Sequence, residues 1–176
     1  MALQPYYFNN DLFKAKQIYS AKADVGMIKH NFNKHLTKHW NFKTPQTTYQ
    51  SCRKIYSIFI NLIGNLREYK NKMKTHSYSK TIVSEFIKLD LCRKFLQMGY
   101  SRSMRYYYHK NGRKLRQVGN KWQVLPYDYD EEKRESAVIF KEYLKKVNKN
   151  KIYRLAKSYY LSLPDDSNRV STTIFK

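Results

Sequence analysis

Positive charge is the strongest restriction that this sequence places on its own folding. Thirty-five lysines and arginines stand against 13 aspartates and glutamates among 176 residues, and the formal net charge at pH 7 is +22. An excess of one sign destabilises a compact state through self-repulsion unless counter-ions or a polyanion neutralise it. We therefore expect a polyanionic partner.

The positive charge is concentrated in the first three-quarters of the chain. Residues 1–127 hold 24 basic and 5 acidic side chains, whereas residues 128–176 hold 11 basic and 8 acidic ones. No acidic residue lies between Leu91 and Tyr127, and aromatic residues are frequent there. The stretch contains nine cations: Arg93, Lys94, Arg102, Arg105, Lys110, Arg113, Lys114, Arg116 and Lys121.

Apolar side chains are numerous enough to offset the entropy lost on folding. Hydrophobic residues make up 41% of the chain and aromatic residues 16%, which is unlike a disordered sequence. A length of 176 residues suits one ordinary domain. We predict a single basic domain over residues 25–163, preceded by an N-terminal arm over residues 1–24 and followed by a flexible tail over residues 164–176.

Cysteine usage and the lack of long apolar segments indicate the compartment. Cys52 and Cys92 lie inside apolar helical patterns without CxxC spacing, which predicts reduced core thiols. No stretch approaches the roughly 18 apolar residues of a membrane span. The first ten residues lack the plan of a secretory signal. We therefore expect a soluble, intracellular protein without a membrane partner.

Hydrophobic periodicity predicts an α+β fold that is mainly α, with about five helices. Thr44 as N-cap and Pro45 at the first helical position begin one helix, which runs to Gly64. Its predicted core face comprises Tyr49, Cys52, Tyr56, Phe59, Ile60 and Ile63. After a polar connection over residues 65–80, a second apolar pattern runs from Ile82 to Leu96 and ends at Gly99.

A bend is predicted at Gly99. Ser101 is placed to cap a third, short helix that runs through His109. The segment from Gln97 to Ser103 is similar to the turn of a helix-turn-helix motif, whose second helix reads the DNA major groove. Arg105 stands where that motif normally has an apolar residue, which argues against this interpretation.

Further elements are predicted on both sides of this region. Lys114–Val118 and Lys121–Leu125 flank Gly119-Asn120, which predicts a small β-hairpin around residues 114–125. Asp130 and Asn150 are N-caps for two later helices. Residues 1–43 indicate irregular structure, with one or two short strands around residues 27–32.

Cations interleaved with aromatic residues are typical of nucleic-acid surfaces, because cations neutralise phosphates and aromatic rings stack on bases. The sequence therefore predicts a protein that binds the phosphate backbone of DNA or RNA, largely independently of base sequence. The predicted binding residues are Arg93, Lys94, Arg102, Arg105, Tyr108, His109, Lys110, Arg113, Lys114 and Arg116.

A block of this region resembles a known family. It runs from Arg93 to Arg102 with the sequence RKFLQMGYSR, and it continues through Arg105-Tyr106, His109-Lys110 and Gly112-Arg113-Lys114. This block is similar to the core of the domain-of-unknown-function family 4385, found in bacteria, phages, some eukaryotes and large DNA viruses. The likeness extends through HWNFKTP at residues 39–45 and SAVIF at residues 136–140, and it covers roughly residues 25–160.

The resemblance implies that this block is one structural unit. It assigns no activity to individual residues of the chain. Where relatives have a Gly-rich stretch near the N-terminus, this chain has KADVGM at residues 22–27, so no phosphate-binding loop is inferred there. Abundant Lys, Asn, Ile and Tyr are typical of AT-rich coding. A viral member of the family would be expected in the cytoplasm, a viral factory or the virion.

Two alternatives to nucleic-acid binding stay open. The first is a structural or assembly component, of a virion or a ribonucleoprotein, that binds an acidic protein. The second is a nucleic-acid-processing enzyme, which the sequence does not favour. It has no GxxxxGK[ST] loop. His35 and His39 have the i, i+4 spacing of metal ligands, but the sequence has no carboxylate between Asp24 and Glu68 to join them. No cofactor or metal is predicted, and the sequence does not indicate an oligomeric state.

Overall fold

Six helices and one hairpin account for most of the chain that the structure describes. The structure, a computed structural model, describes residues 31–109 and 112–163. Its elements in chain order are α1 (Asn31–Thr37), α2 (Pro45–Arg67), α3 (Lys70–Lys74), α4 (Lys80–Tyr108), β1 (Leu115–Val118), β2 (Lys121–Val124), α5 (Glu131–Lys149) and α6 (Lys151–Ser162). The predicted fold class is confirmed, while the predicted arm and tail lie outside the described residues.

Three helices begin where capping residues predict. The Thr44 hydroxyl accepts a hydrogen bond from the Thr47 amide, and the Thr47 hydroxyl accepts one from the Thr44 amide. This capping box, with Pro45 as the first helical residue, satisfies amides that have no partner within the helix. Asp130 and Asn150 accept amide hydrogen bonds at the starts of α5 and α6 in the same way. These predicted helix starts are confirmed.

The buried face of α2 differs from the predicted one. Tyr49 and Ile60, predicted to be core residues, are exposed. The helix instead buries a face that includes small polar residues, and it continues past Gly64 to Arg67: Thr48, Ser51, Cys52, Ile55, Phe59, Leu62, Ile63 and Leu66. Thr48 and Ser51 are tolerated inside because their hydroxyls donate to the Thr44 and His39 carbonyls.

Helix α4 passes through Gly99 without a break, so the predicted bend and the separate helix from Ser101 are wrong. With 29 residues, α4 is roughly 43 Å long. The ring of Phe140, on α5, occupies the space where a side chain at Gly99 would lie. Gly99 therefore allows two helices to approach closely, and there is no helix-turn-helix at this position.

The packing of α4 against α5 is the largest helix contact in the described chain. The amide of Asp130, which precedes α5, donates to the carbonyl of Tyr107 near the end of α4 at 3.0 Å, so the two helices run antiparallel. Ser103 and Ser136 lie one turn from Gly99 and Phe140 and are fully buried. Small residues thus line the region of closest approach.

The hairpin is confirmed at the predicted position. Leu115 pairs with Val124 and Val118 with Lys121, in an antiparallel register. Gly119 begins the turn with φ of 59°, a left-handed conformation that favours glycine. All eight strand residues are exposed, so the hairpin projects from the helices instead of covering their core.

Helix α1 and helix α3 replace structure that was predicted to be irregular. Asn31 and Phe32, at the end of the predicted strand region, are helical, and residues 27–30 lie outside the described ranges. The connection predicted for residues 65–80 contains α3, whose Met73 is fully buried. Within the described ranges, no helix combines the length and apolar character needed to cross a membrane.

Candidate nucleic-acid interface

Two of the ten predicted binding residues point into the helical body. Arg93 Nε donates to Oδ1 of Asp90 at 2.7 Å, and Lys94 Nζ lies 4.0 Å from Oδ2. Asp90 is 1% exposed and Lys94 6% exposed, and the Tyr153 hydroxyl of α6 also donates to Asp90, at 2.8 Å. Arg93 and Lys94 therefore serve a buried cluster that joins α4 to α6.

The protonation of Lys94 reflects this environment. Burial lowers the pKa of Lys94 below its ordinary value, and the neighbouring Arg93 adds to that effect, whereas Asp90 opposes it. Removing either cation would leave the Asp90 carboxylate buried with weaker compensation. These two cations are thus committed to the structure and do not contribute to an exposed phosphate-binding surface.

Arg102 and Arg105 are exposed on the last two turns of α4. The Arg102 guanidinium lies 5.3 Å from the centre of the Trp40 ring, a cation–π contact. Trp40 is itself held by a hydrogen bond from its indole nitrogen to the Phe95 carbonyl. Arg102 is therefore partly engaged in packing, while Arg105 is open to solvent.

His109 and Tyr108 lie at the end of α4 and differ in exposure. His109 is buried and ends the helix, and its Nδ1 has no hydrogen-bond partner within the described ranges. Tyr108 is exposed and belongs to a group of four tyrosines, with Tyr107, Tyr127 and Tyr129, whose ring centres are 4.9 to 6.2 Å apart. Lys110, the neighbour of His109, lies outside the described residues.

The remaining predicted cations lie on the hairpin. Arg113 and Lys114 lead into β1, and Arg116 lies within it. Lys121 begins β2, and all four cations are exposed. We call the hairpin of residues 113–125 the cationic ribbon. Its entry is fixed by Gly112, whose φ is 68° and which lies against the ring of Tyr106.

Alternation along the strands gives the cationic ribbon two unlike faces. Directly paired residues share a face, so Leu115, Gln117, Trp122 and Val124 lie on one side. Arg116, Val118, Lys121 and Gln123 lie on the other. The first face is largely apolar and the second largely polar and basic, yet neither is covered by the helices.

An open cavity with a volume of about 490 Å³ lies on the ribbon and forms a concave surface there. It is lined by Arg113, Leu115, Arg116, Gln117, Trp122 and Leu125. Two arginines and an exposed tryptophan therefore line the same concavity, although Arg116 and Trp122 belong to opposite faces of the ribbon. This combination can hold an anion and a flat ring side by side.

Acidic residues follow the ribbon in the sequence, beginning with Asp128. Asp130 caps α5, and Glu131 pairs with Arg134 at 3.3 Å. Asp128 forms a bridge with His109 through its backbone. Of the nine cations in the acid-free stretch, six make no ion pair with a carboxylate in residues 31–109 and 112–163: Arg102, Arg105, Arg113, Lys114, Arg116 and Lys121.

The structure thus divides the predicted site. Arg113, Lys114 and Arg116 come together on the ribbon, Arg102 and Arg105 lie on α4, and Arg93 and Lys94 lie in the helical body. The sequence prediction omitted Lys121, Gln117 and Trp122. A signal for them was present, because Gly119-Asn120 fixes a hairpin register that pairs Gln117 with Trp122.

Catalytic arrangements in the described chain are few. No group of three histidines, cysteines or carboxylates suited to a metal lies in the described part. His76 Nδ1 lies 2.7 Å from the Ser162 hydroxyl, which donates to the Tyr159 carbonyl at 2.8 Å. The imidazole must then donate to Ser162, the reverse of the direction in which a base activates a nucleophile. This pair ties the segment before α4 to α6.

Taken together, these features define a mainly helical protein with a projecting basic β-ribbon. The chain belongs to the family of the domain of unknown function DUF4385, whose model matches residues 11–162. The resemblance seen in the sequence is thereby confirmed. No curated protein and no solved structure matches the chain.

Proposed function

We propose that this protein binds nucleic acid through the phosphate backbone, largely independently of base sequence, and that the cationic ribbon provides the main contact. One observation carries the proposal: Arg113, Lys114, Arg116 and Lys121 are exposed on one hairpin and make no ion pair with a carboxylate in the described ranges. Cations in this state neutralise phosphates and release condensed counter-ions, which provides affinity without reading sequence.

Charge on the whole chain supports the same partner. A net charge of +22 attracts polyanions over distances set by the ionic strength. Arg105, on the last turns of α4, adds an exposed cation beyond the ribbon. Phosphate is common to DNA and RNA, so the proposal covers both polymers.

The salt dependence of binding tests the proposal. Affinity for a labelled mixed-sequence oligonucleotide is expected to fall steeply as salt rises, with a slope set by the number of phosphates neutralised. Replacing Arg113, Lys114, Arg116 and Lys121 together with Ala should weaken binding and reduce the slope by about 2 to 3. Helicity should not change, because all four side chains are exposed and lie outside the helices.

A matched control removes the same charge elsewhere. Lys141, Lys145, Lys149 and Lys151 are exposed on α5 and α6. Their joint replacement with Ala should reduce affinity less than the ribbon variant does. Equal losses in the two variants would move the binding surface away from the ribbon, and no binding at low salt would refute the proposal altogether.

Exposed apolar residues favour one alternative, a structural or assembly component with an acidic protein partner. Leu115, Val118 and Val124 are exposed beside the ribbon cations, a mixture that a protein surface can also cover. Nuclease treatment separates the two candidates. A co-purifying complex that survives digestion, with an unchanged ratio of absorbance at 260 to 280 nm, supports the protein partner.

A nucleic-acid-processing enzyme is tested in the same preparations. Such an enzyme would cleave labelled DNA or RNA, and the cleavage would be lost in His109→Ala. His109 is buried and its Nδ1 is unpaired within the described ranges, so it is the residue with which to begin. Binding without any cleavage would argue against this alternative.

A further inference from the structure

We infer that the cationic ribbon carries a site for an unpaired nucleotide, so that the protein binds single-stranded nucleic acid in preference to duplex. This inference rests on the proposed function and names the form of nucleic acid that the same surface takes.

The first step is the chemistry of the concave surface on the ribbon. Arg113 and Arg116 are among its lining residues, Arg116 from the opposite face of the ribbon, and guanidinium groups bind phosphate oxygens in a bidentate manner. Trp122 lines the same surface and offers an indole ring for stacking. Gln117, directly opposite Trp122 in the register, offers an amide that both donates and accepts hydrogen bonds. The arginines thus suit the phosphate, the Trp122 ring suits the face of the base, and the Gln117 amide suits the edge of the base.

The second step is the contrast between the two tryptophans of the chain. Trp40 is partly buried, packs against Phe42 and Phe95, and uses its indole N–H within the fold. Trp122 is 66% exposed, and in the described chain it makes no ring contact with another aromatic residue. Trp122 is therefore not part of the buried core of the described residues, and most of its ring is open to solvent.

The third step distinguishes a single strand from a duplex. A two-stranded ribbon can enter the major groove of a duplex, where it meets base edges and phosphates. The faces of the bases are covered there by stacking, so Trp122 would find no ring to stack on. Leu115 and Val124 share the face of Trp122 and extend the apolar surface around it. An unpaired base uses this surface, whereas a duplex leaves it exposed.

The test compares a labelled oligothymidylate and oligouridylate with a mixed duplex of equal length. Trp122→Ala is expected to weaken binding of both single strands by about 5- to 150-fold and binding of the duplex by less than about 2-fold. The salt dependence should not change, because no cation is removed. Tryptophan emission should be quenched by the single strand in the unchanged protein and should lose that response in Trp122→Ala.

Two matched variants serve as controls. Trp122→Phe keeps an aromatic ring and should retain most of the single-strand affinity. Val138→Ala truncates an exposed apolar side chain on α5, outside the ribbon, and should leave both affinities unchanged. Equal circular dichroism spectra would show that each variant is folded.

The outcomes separate this inference from the proposed function. Salt-dependent binding that is indifferent to Trp122 would overturn the single-strand site and leave phosphate binding intact. Tighter binding of the duplex, with the ribbon cations required, would place the ribbon in the major groove instead. If the unchanged protein binds neither the single strands nor the duplex, both proposals are removed. A nuclease-resistant complex that requires Trp122 would assign this face to a protein partner.

Discussion

Two glycines lie inside long helices and have opposite surroundings. Gly64, in α2, has no atom near the position of a Cβ, whereas a Cβ at Gly99 would overlap the Phe140 ring. Alanine is the better helix former by about 1 kcal/mol. Gly64→Ala should therefore stabilise the protein by about 0.5 to 1 kcal/mol, while Gly99→Ala should destabilise it by about 1 to 3 kcal/mol through overpacking.

Urea unfolding of the two variants measures both signs. A glycine required for a turn would also resist substitution, so the partner ring needs a test of its own. Phe140→Ala opens the space above Gly99, and in that background Gly99→Ala should lose its cost. An unchanged cost of Gly99→Ala without the Phe140 ring would contradict the close approach of α4 to α5.

The two thiols have consequences at alkaline pH. Burial raises the pKa of Cys52 from 9.0 to about 12, and burial raises the pKa of Cys92 as well. Burial likewise raises the pKa values of Tyr143 and Tyr159 above their ordinary value. An unfolded chain ionises these groups first. Their contribution to the free energy of unfolding should therefore be constant below pH of about 8 and fall as pH rises toward about 12.

Lys94 acts in the opposite direction, because its lowered pKa makes folding release a proton and its contribution to stability rises with pH toward 10.5. Four groups oppose this one, and a net decline of the urea midpoint between pH of about 8 and about 10.5 is expected.

A disulfide-exchange reagent should label no thiol of the native protein and both after unfolding. Rapid native labelling would contradict the burial of Cys52 and Cys92.

At the scale of elements, local signals were the reliable ones. Thr44 before Pro45, and Gly119 before Asn120, act through backbone geometry within a few residues, so the helix start and the hairpin could be predicted. The role of Gly99 could not, because Phe140 comes from another helix 41 positions later in the sequence. A glycine followed by a serine has the same local pattern in a bend as in a continuous helix.

The candidate site shows a similar division. Asp90 precedes Arg93 and Lys94 at i+3 and i+4, the spacing of helical ion pairs, so a local signal for their pairing was present. It was missed because the acid-free stretch begins at the next residue, Leu91. No local sequence pattern indicated that the ribbon would project from the helices. Its exposure depends on the tertiary arrangement of the helices, which neighbouring residues in the sequence do not determine.

The ribbon is expected to be an addition that the helical fold does not need. Its eight strand residues are all exposed, and Lys114 pairs with Leu125 below them. Deleting residues 115–118 and 121–124 joins this pair through Gly119-Asn120 and keeps the turn. Stability should change by less than about 0.5 kcal/mol, or about 1 to 2 °C in Tm, while nucleic-acid affinity falls.

Calorimetry and helicity of this deletion check the expectation. A loss of several degrees would mean that the ribbon packs against the body or against residues outside the described ranges. Truncation of a core side chain serves as the contrast. Tyr153→Ala should destabilise the protein by about 3 to 5 kcal/mol, because Tyr153 is buried and its hydroxyl donates to Asp90.

For the molecule as a whole, the net charge of +22 should make stability depend on ionic strength. Salt raised from about 0.01 M to about 0.15 M shortens the screening length from about 30 Å to about 8 Å. Repulsion among cations on different helices is then screened, whereas the buried contacts of Asp90 are little affected. Tm should therefore rise with sodium chloride over this range.

A variant with less charge isolates the cause. Replacing Lys141, Lys145, Lys149 and Lys151 with Gln lowers the net charge from +22 to +18 at four exposed positions of α5 and α6. This variant should be more stable than the unchanged protein at low salt and should gain less Tm from added salt, because less repulsion is left to screen. Thermal unfolding at several salt concentrations measures both slopes. A Tm that falls with salt in both proteins would mean that attractive ion pairs outweigh repulsion, and the cations would then have partners other than a bound polyanion.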